Sequence, residues 1–252
     1  MRSPQSGSTR TMVESGGILA AGHSEKGPIR TENQDRFAAF AAANGDVVIV
    51  IADGMGGHAG GAEAADAAVS ASALILAGPG DPRPRLGGAV AAADAAVAQL
   101  RDRIGDHPGT TLVVAWVSRS GALVANLGDS RAYCVRGGLA IPVTADHSWV
   151  GEQIRAGLLP ESAARHDPKR NIVTRAVLGE AMAPDITEVD LLPGDLLVLC
   201  TDGVWEALSD ETIAATVMAE APIVQRTDWL VQAAIDAGSL DDATVVAAEV
   251  SR

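Results

Sequence analysis

The chain has 252 residues, of which 19 are basic and 32 acidic, and it carries a net charge of −13. This balance excludes nucleic acid as the default partner, because a phosphate backbone is bound by clustered lysine and arginine side chains. Apolar residues make up 47% of the sequence, which is typical of a globular protein rather than a disordered one.

The predicted elements begin after a polar segment, residues 1–13, that predicts a flexible tail and leaves 14–252 as one domain. Short runs rich in Val, Ile and Leu predict strands at 47–52, 111–117, 122–127, 131–135, 195–200 and 244–250. Ala-rich segments with apolar residues at helical spacing predict helices at 62–76, 86–103, 152–156, 211–219 and 227–237. A turn-rich break is predicted at 78–85 and a hairpin at 136–138. Clustered strands with hairpin signals favour antiparallel pairing and an α+β layered fold.

The expected compartment follows from the cysteines and the apolar runs. Cys134 and Cys200 both lie within apolar runs, which indicates free thiols in a reducing compartment rather than a disulfide framework. The N-terminal residues lack the apolar core of a signal peptide, and the longest apolar runs are too short to span a bilayer. We therefore expect a cytoplasmic protein with no membrane partner.

Acidic residues stand at the ends of four predicted strands. Asp53-Gly54 and Asp202-Gly203 each follow an apolar strand, Asp129 follows a third, and Asp241-Asp242 precedes the last. Turn formation explains any one of these sites by itself. Four in one domain favour a shared site, because clustered carboxylates repel one another unless a cation neutralises them. Carboxylate-rich sites suit Mg²⁺, Mn²⁺ or Ca²⁺ rather than zinc.

The glycine-rich segment at 54–61 has an alternative interpretation as a dinucleotide or phosphate loop, since it follows a strand and opens a helix. It contains no Gly-Lys-Ser/Thr, which excludes a P-loop. An acidic residue at the end of a second strand about 20 positions later, as ribose binding requires, is also missing from the sequence. This interpretation is the weaker one.

Eight short motifs occur in one order along the chain: RTENQD at 30–35, ADGMGGH at 52–58, GTT at 109–111, GDSR at 128–131, ADHS at 145–148, TRA at 174–176, TDG at 201–203 and DDAT at 241–244. In this series, from about residue 24 to the C-terminus, the chain resembles the bacterial PPM (type 2C) serine/threonine phosphatases. The resemblance implies a four-layer αββα fold, a β-sandwich of two antiparallel sheets flanked by helices, with metals at one end between the sheets.

The resemblance also implies the chemistry of the site. Two Mn²⁺ or Mg²⁺ ions, with a third and weaker one, would be held by oxygen ligands: Asp53 bridging two ions, the Gly54 carbonyl on the first, Asp202 and Asp241 on the second, Asp35 through water, and Asp129 with Asp202 on the third. Arg30 would grip the substrate phosphate, a task that suits a guanidinium. A metal-bridging hydroxide would attack phosphoserine or phosphothreonine directly, so that neither cysteine is a nucleophile.

The expected partners are phosphorylated proteins, namely the targets of a serine/threonine kinase and the kinase itself, and a monomer is expected. A non-catalytic binding module and a hydrolase of small phosphoesters remain the alternatives. The segment at 148–172 corresponds to the variable flap beside the active site, a kind of loop on which specificity often depends.

Three departures from the family pattern leave questions open. Met55 stands where eukaryotic members carry a histidine proposed as the general acid, so that either His58 or a water fills this role. Asp242 replaces the usual asparagine, and its charge either tightens metal binding or is simply solvated. Asp167 precedes a proline where a histidine is usual, with His166 beside it, which puts flap-mediated phosphate contacts in question.

Overall fold

The computed structural model describes residues 8–56, 60–164 and 167–251. Its strands form two antiparallel sheets of six strands each. The first contains, in spatial order, β1 (Thr9–Ser15), β2 (Ile18–Glu25), β12 (Ala243–Val250), β11 (Leu196–Cys200), β8 (Arg131–Arg136) and β9 (Leu139–Pro142). The second contains β10 (Asp185–Asp190), β7 (Gly121–Leu127), β6 (Leu112–Ser118), β4 (Val47–Met55) and β3 (Asp35–Ala41), and β5 (Gly109–Thr110) pairs with β4.

Helices pack on the outer faces of both sheets. The helices are α1 (Gly61–Leu76), α2 (Pro82–Ile104), α3 (Trp149–Arg155), α4 (Glu161–Ala164), α5 (Asp202–Trp205), α6 (Asp210–Val217) and α7 (Ile223–Asp236). Two short helices, α3 and α4, lie in the segment 148–172. One apolar cluster joins α1 and α2 to the second sheet, and another joins α5, α6 and α7 to the first. In the parts of the chain that the structure describes, no helix is both long enough and apolar enough to cross a membrane.

The interior strand β4 shows how the layers are built. Val48 and Val50 pack with the helical cluster, whereas Ile49 and Ile51 pack with the cluster between the two sheets. Successive side chains of a strand point to opposite faces, so a strand buried on both faces is continuously apolar rather than alternating. The expected αββα sandwich is therefore the observed fold, and β4 is a buried strand whose last residues include Asp53.

The predicted strands and helices are confirmed to within a few residues. Arg136 pairs with Leu139 across the predicted hairpin, where Gly137 and Gly138 have φ of +58° and +83°. Both lie in the left-handed region that a two-residue type I′ turn requires. The break predicted at 78–85 is wrong beyond Asp81, which accepts a hydrogen bond from the Arg83 amide at 3.0 Å and caps α2. Proline at the first helical position fits this cap.

The predicted tail is wrong for residues 9–13, which belong to β1. This strand pairs with β2 from Thr9 opposite Ser24 to Ser15 opposite Ile18. It is an edge strand with alternating exposed positions, so its polar residues are compatible with pairing on one side only. Residues 1–7 of the predicted tail lie outside the described residues.

Candidate metal and phosphate site

Five aspartates lie at one end of the sandwich because of how the strands are paired. In the second sheet Asp35 is the register partner of Asp53 across β3 and β4. In the first sheet the last residue of β11, Cys200, pairs with Val245 of β12 and with Arg131 of β8. The turns next to these positions carry the other three aspartates: Asp202 after β11, Asp241 before β12 and Asp129 before β8.

The electrostatics of Asp53 show that the five carboxylates are neighbours. Removal from water raises the pKa of Asp53 well above its usual range. Four neighbouring negative charges raise it further, in decreasing order Asp202, Asp35, Asp129 and Asp241. These negative charges outweigh the positive charge of Arg30, which also interacts with Asp53.

Two threonines fix the backbone at Asp53. The Asp53 amide donates to Oγ1 of Thr111 at 2.9 Å, and Oγ1 of Thr110 donates to the Asp53 carbonyl at 2.8 Å. Oγ1 of Thr111 is also 2.8 Å from Oγ of Ser130, directly after Asp129. The GTT motif therefore connects the end of β4 to the turn that carries Asp129. The motif is visible in the sequence, but this role is not.

Asp35 is also held by threonines. Its Oδ2 accepts hydrogen bonds from Oγ1 of Thr201 at 2.8 Å and from Oγ1 of Thr244 at 2.6 Å. The side chain is buried, and burial raises the pKa of Asp35 well above its usual range even though these bonds oppose the shift. Thr201 precedes Asp202, and Thr244 is the second residue of β12, which follows Asp241 and Asp242. The two threonines therefore tie Asp35 to the turns that carry Asp202 and Asp241.

Asp202 has the environment expected of a metal ligand. Its Oδ1 is buried and has no hydrogen-bond partner among the described residues. Desolvation, together with the charges of Asp129 and Asp241, raises the pKa of Asp202 to about 8. Burial, and then the charge of Asp146, raises the pKa of Asp129 to about 7. An unsatisfied buried oxygen in a field of like charges fits a hard divalent cation.

The aspartate oxygens suit a divalent metal ion by their chemistry, but the described side chains do not form a complete coordination site. Within 8–56, 60–164 and 167–251, no three His, Cys, Asp or Glu side chains already converge in an arrangement that could hold a metal ion. Carboxylates that repel one another are expected to stand apart until a cation draws them together. The donor set is all oxygen and carries several negative charges, which suits Mg²⁺ or Mn²⁺ better than a soft metal.

Arg30 lies at the edge of this cluster, in the loop between β2 and β3. Its guanidinium is ion-paired with the carboxylate of Asp241, and both side chains remain about two-fifths exposed. Burial lowers the pKa of Arg30, but the hydrogen bond and charge of Asp241 outweigh it and raise the pKa above its usual value. The guanidinium of Arg30 therefore lies at the site where we expect the substrate phosphate.

Asp242 is buried, so the alternative that it is simply solvated is wrong. Its Oδ1 accepts a hydrogen bond from the Gly27 amide and its Oδ2 accepts one from the Gln34 amide, both at 2.8 Å. These amides stand near the two ends of the loop that carries Arg30. Whether the charge of Asp242 also strengthens metal binding stays an open prediction.

A cleft of about 730 Å³ opens over the cluster. Asp202, Asp241 and Arg30 line it, together with the exposed apolar side chains of Ile29 and Leu240. Glu32 and Glu206 give it further negative charge, and Arg170 from the flap segment adds a second guanidinium. Its volume is larger than a phosphate ion alone requires.

The flap segment, 148–172, begins and ends at the same place in the fold. Ser148 forms an isolated bridge with Val173, and the Trp149 amide donates to the Ile172 carbonyl at 2.8 Å. Asp167 caps a local turn by accepting from the Lys169 amide at 2.8 Å. His166 and His58 lie outside the described residues, so the predictions for the general acid and for His166 are not tested.

The two cysteines are buried free thiols. Burial raises the pKa of Cys200 to about 12 and also raises the pKa of Cys134. A thiol that stays protonated at neutral pH is a poor nucleophile, in agreement with the expectation that neither cysteine takes part in the chemistry.

Comparison with known proteins places this site in a family. The family model for protein phosphatase 2C matches residues 22–232. The chain is 34% identical over 227 residues to protein phosphatase PhpP of Streptococcus pneumoniae, covering 87% of this chain and 92% of that protein. It is 31% identical over 234 residues to serine/threonine protein phosphatase PstP of Mycobacterium tuberculosis, covering 91% of this chain but only 44% of that protein. The chain thus spans less than half the length of this relative.

A solved structure supports the same assignment. The catalytic domain of serine/threonine protein phosphatase PstP, solved in complex with two manganese ions, superposes with a TM-score of 0.83 at 29% identity. The alignment covers 96% of this chain and all of that one. Because a family model spans most of the sequence and the sandwich, the strand-end aspartates and the ordered motifs agree with it, this chain belongs to the protein phosphatase 2C family.

Proposed function

We propose that this protein is a metal-dependent protein phosphatase that hydrolyses phosphoserine and phosphothreonine in other proteins. The observation that carries this proposal is the unpartnered, buried Oδ1 of Asp202 within a group of mutually repelling carboxylates, in a cleft that Asp202 and Arg30 both line. The relatives named above are serine/threonine protein phosphatases, and one of them was solved with two manganese ions. Together these observations support the same metal-dependent chemistry in this chain.

The metal ligands we propose are those of the strand ends. Asp53, the Gly54 carbonyl, Asp202 and Asp241 would hold two ions, Asp35 would act through water, and Asp129 would contribute to a third and weaker site. The ions, when bound, supply an activated water and neutralise charge on the phosphoryl oxygens. Mn²⁺ and Mg²⁺ both suit such ligands.

The residues of the chain supply position and charge. Arg30 donates to the substrate phosphate with its planar guanidinium, which matches phosphoryl oxygens in a bidentate manner. For this it exchanges its pairing with Asp241, which is exposed enough for both partners to rearrange. The threonines that hold Asp35 and the backbone of Asp53 keep the ligands in place, so little reorganisation opposes the reaction.

The proposal extends to the setting in which the enzyme works. We infer that its substrates are the targets of a serine/threonine kinase and the kinase itself, and that it acts as a monomer in the cytoplasm. Two buried free thiols agree with a reducing compartment. Sedimentation equilibrium tests the oligomeric state, and loss of phosphate from a kinase phosphorylated in vitro tests the substrate class.

The central experiment measures hydrolysis of p-nitrophenyl phosphate and of a phosphothreonine peptide with Mn²⁺, with Mg²⁺ and with EDTA. We expect turnover only with metal, and its loss in Asp53→Ala. Asp66→Asn removes a carboxylate of α1 whose side chain is 70% exposed, and it serves as the charge-matched control with unchanged turnover. Turnover in EDTA would contradict the proposal.

The same assay separates the alternatives. A non-catalytic module would bind a phosphoprotein without turnover at saturating Mn²⁺. An enzyme of small phosphoesters would hydrolyse a panel of phosphometabolites faster than the phosphopeptide.

A further inference from the structure

The carboxylate of Asp242 has an arrangement that the motif comparison does not explain. It is buried, with 3% of its surface exposed, and each of its two oxygens accepts one backbone amide at 2.8 Å. The donors, Gly27 and Gln34, are more than 200 residues away in the sequence. A single side chain therefore pins both ends of one loop to the start of β12.

The loop between these donors carries Arg30. It is tightened by hydrogen bonds of its own, from the Arg30 amide to the Gly27 carbonyl at 3.2 Å and from Lys26 Nζ to the Arg30 carbonyl at 2.6 Å. It also lies directly against the ligand turn, since a Cβ built on Gly27 would stand 2.6 Å from the backbone of Asp241. The position of the guanidinium thus depends on how firmly this loop is held.

A carboxylate suits this task better than the amide usual at this position. Both partners of Asp242 are N–H donors, so two acceptor oxygens are needed. Asparagine has one acceptor oxygen, and its NH₂ group would face the second amide as a donor against a donor. A buried amide that loses its acceptor is costly, and the loop would relax to recover one.

We propose that Asp242 is a positioning residue that holds the Arg30 loop by both carboxylate oxygens and so sets the affinity for the substrate phosphate. The inference rests on the proposed function only in the role given to Arg30. It assigns Asp242 no contact with substrate or metal. A general loss of stability would weaken phosphate binding with or without Arg30, whereas the proposed effect of Asp242 depends on Arg30.

The first test compares the affinity of the Mn²⁺-loaded protein for inorganic phosphate, measured by calorimetry, before and after Asp242→Asn. We expect a roughly tenfold weaker Kd, about 1.4 kcal/mol, with Mn²⁺ affinity changed less than threefold. The matched control is Asp94→Asn. Asp94 is also buried and accepts backbone amides, those of Gly179 at 2.8 Å and Ala181 at 2.7 Å, but it lies on α2 outside the cleft. Its replacement should leave phosphate affinity unchanged.

The second test is a double-mutant cycle. In an Arg30→Ala background, Asp242→Asn should weaken phosphate binding less than twofold, because the group it positions is absent. An equal loss in both backgrounds would overturn the proposal, as would an unchanged Kd in Asp242→Asn. A parallel tenfold loss of Mn²⁺ affinity would also overturn it, by placing the effect on Asp241 instead.

A third measurement needs no variant. In the metal-free wild-type protein the Gly27 and Gln34 amides should exchange with solvent roughly a hundredfold more slowly than in an unstructured peptide. Fast exchange at both amides would overturn the proposal even if Asp242→Asn failed to fold. Absence of turnover with metal would contradict the proposed function. The exchange rates and the phosphate affinities would still test the role of Asp242, so the two failures are distinguishable.

Discussion

Replacing Asp202 by asparagine should stabilise the metal-free protein while it destroys the metal site. The pKa of Asp202 is about 8 in the folded chain, whereas the unfolded value is near 3.8. Folding therefore forces a carboxylate that prefers to be ionised into a place that favours its protonated form. Asparagine has nearly the same shape, carries no charge and does not incur this cost.

The size of the effect follows from proton linkage. Between the two pKa values the folded state binds more protons than the unfolded state, so stability falls as pH rises from about 4 to about 8. At pH 7 the gap of some three pH units corresponds to roughly 4 kcal/mol, at about 1.4 kcal/mol for each unit. Asp202 remains partly exposed, which reduces the figure, so we expect Asp202→Asn to gain about 2–4 kcal/mol at pH 7. The gain should vanish near pH 4.

Thermal unfolding in EDTA at several pH values between 4 and 8 measures this difference. A gain of this size should raise Tm by roughly 5–15 °C in a chain of this length. Asp66→Asn, at an exposed carboxylate of α1, is the control and should leave Tm unchanged. On addition of Mn²⁺ the order should reverse, because only the wild-type protein retains the full ligand set. The reasoning is refuted if Asp202→Asn is no more stable than wild type at pH 8, or if the difference shrinks as pH rises.

Three other predictions concern the rim, the thiols and a close contact. Ile29→Ser combined with Leu240→Ser should raise KM severalfold for a phosphopeptide and leave p-nitrophenyl phosphate unaffected, since both side chains are exposed at the cleft. Cys200→Ala should keep kcat within about twofold and confer no change in sensitivity to iodoacetamide, because the thiol is buried. Gly203→Ala places a Cβ against the Asp242 carbonyl; a titration should show Mn²⁺ affinity at least roughly tenfold weaker.

The sequence predicted most interior strands, but it missed the interior strand β2 and the edge strands β1, β3 and β10. β4, β6 and β11 are buried on both faces and appear as continuous apolar runs. β1 and β10 lie at sheet edges and carry mostly polar residues, with Thr and Arg in one and three acidic residues in the other. Such strands are stabilised by their partners rather than by their own apolar pattern, so composition gives no signal for them.

The site was also predictable only in part: the sequence indicates the ligand aspartates but not the residues that hold them. The metal-ligand aspartates stand beside apolar strands, where a local pattern marks them. The groups that hold them do not. Thr201 and Thr244 reach Asp35 from 166 and 209 residues away, and Asp242 reaches Gln34 across 208 residues. Contacts at such separations are set by the order of strands in the sheets, which a local reading of residues does not contain.

These supporting contacts hold the carboxylates in place against their mutual repulsion. Asp35 is fixed by two hydroxyl donors, the backbone at Asp53 by two threonines, and Asp242 by two amides. None of these bonds occupies the Oδ1 of Asp202, which stays free for an ion. Repulsion among the carboxylates therefore lowers the stability of the metal-free fold, and a bound divalent cation would remove this cost. Metal affinity and the instability of the metal-free protein thus have the same origin. A variant that lowers the repulsion should raise the stability of the metal-free protein and lower its metal affinity together.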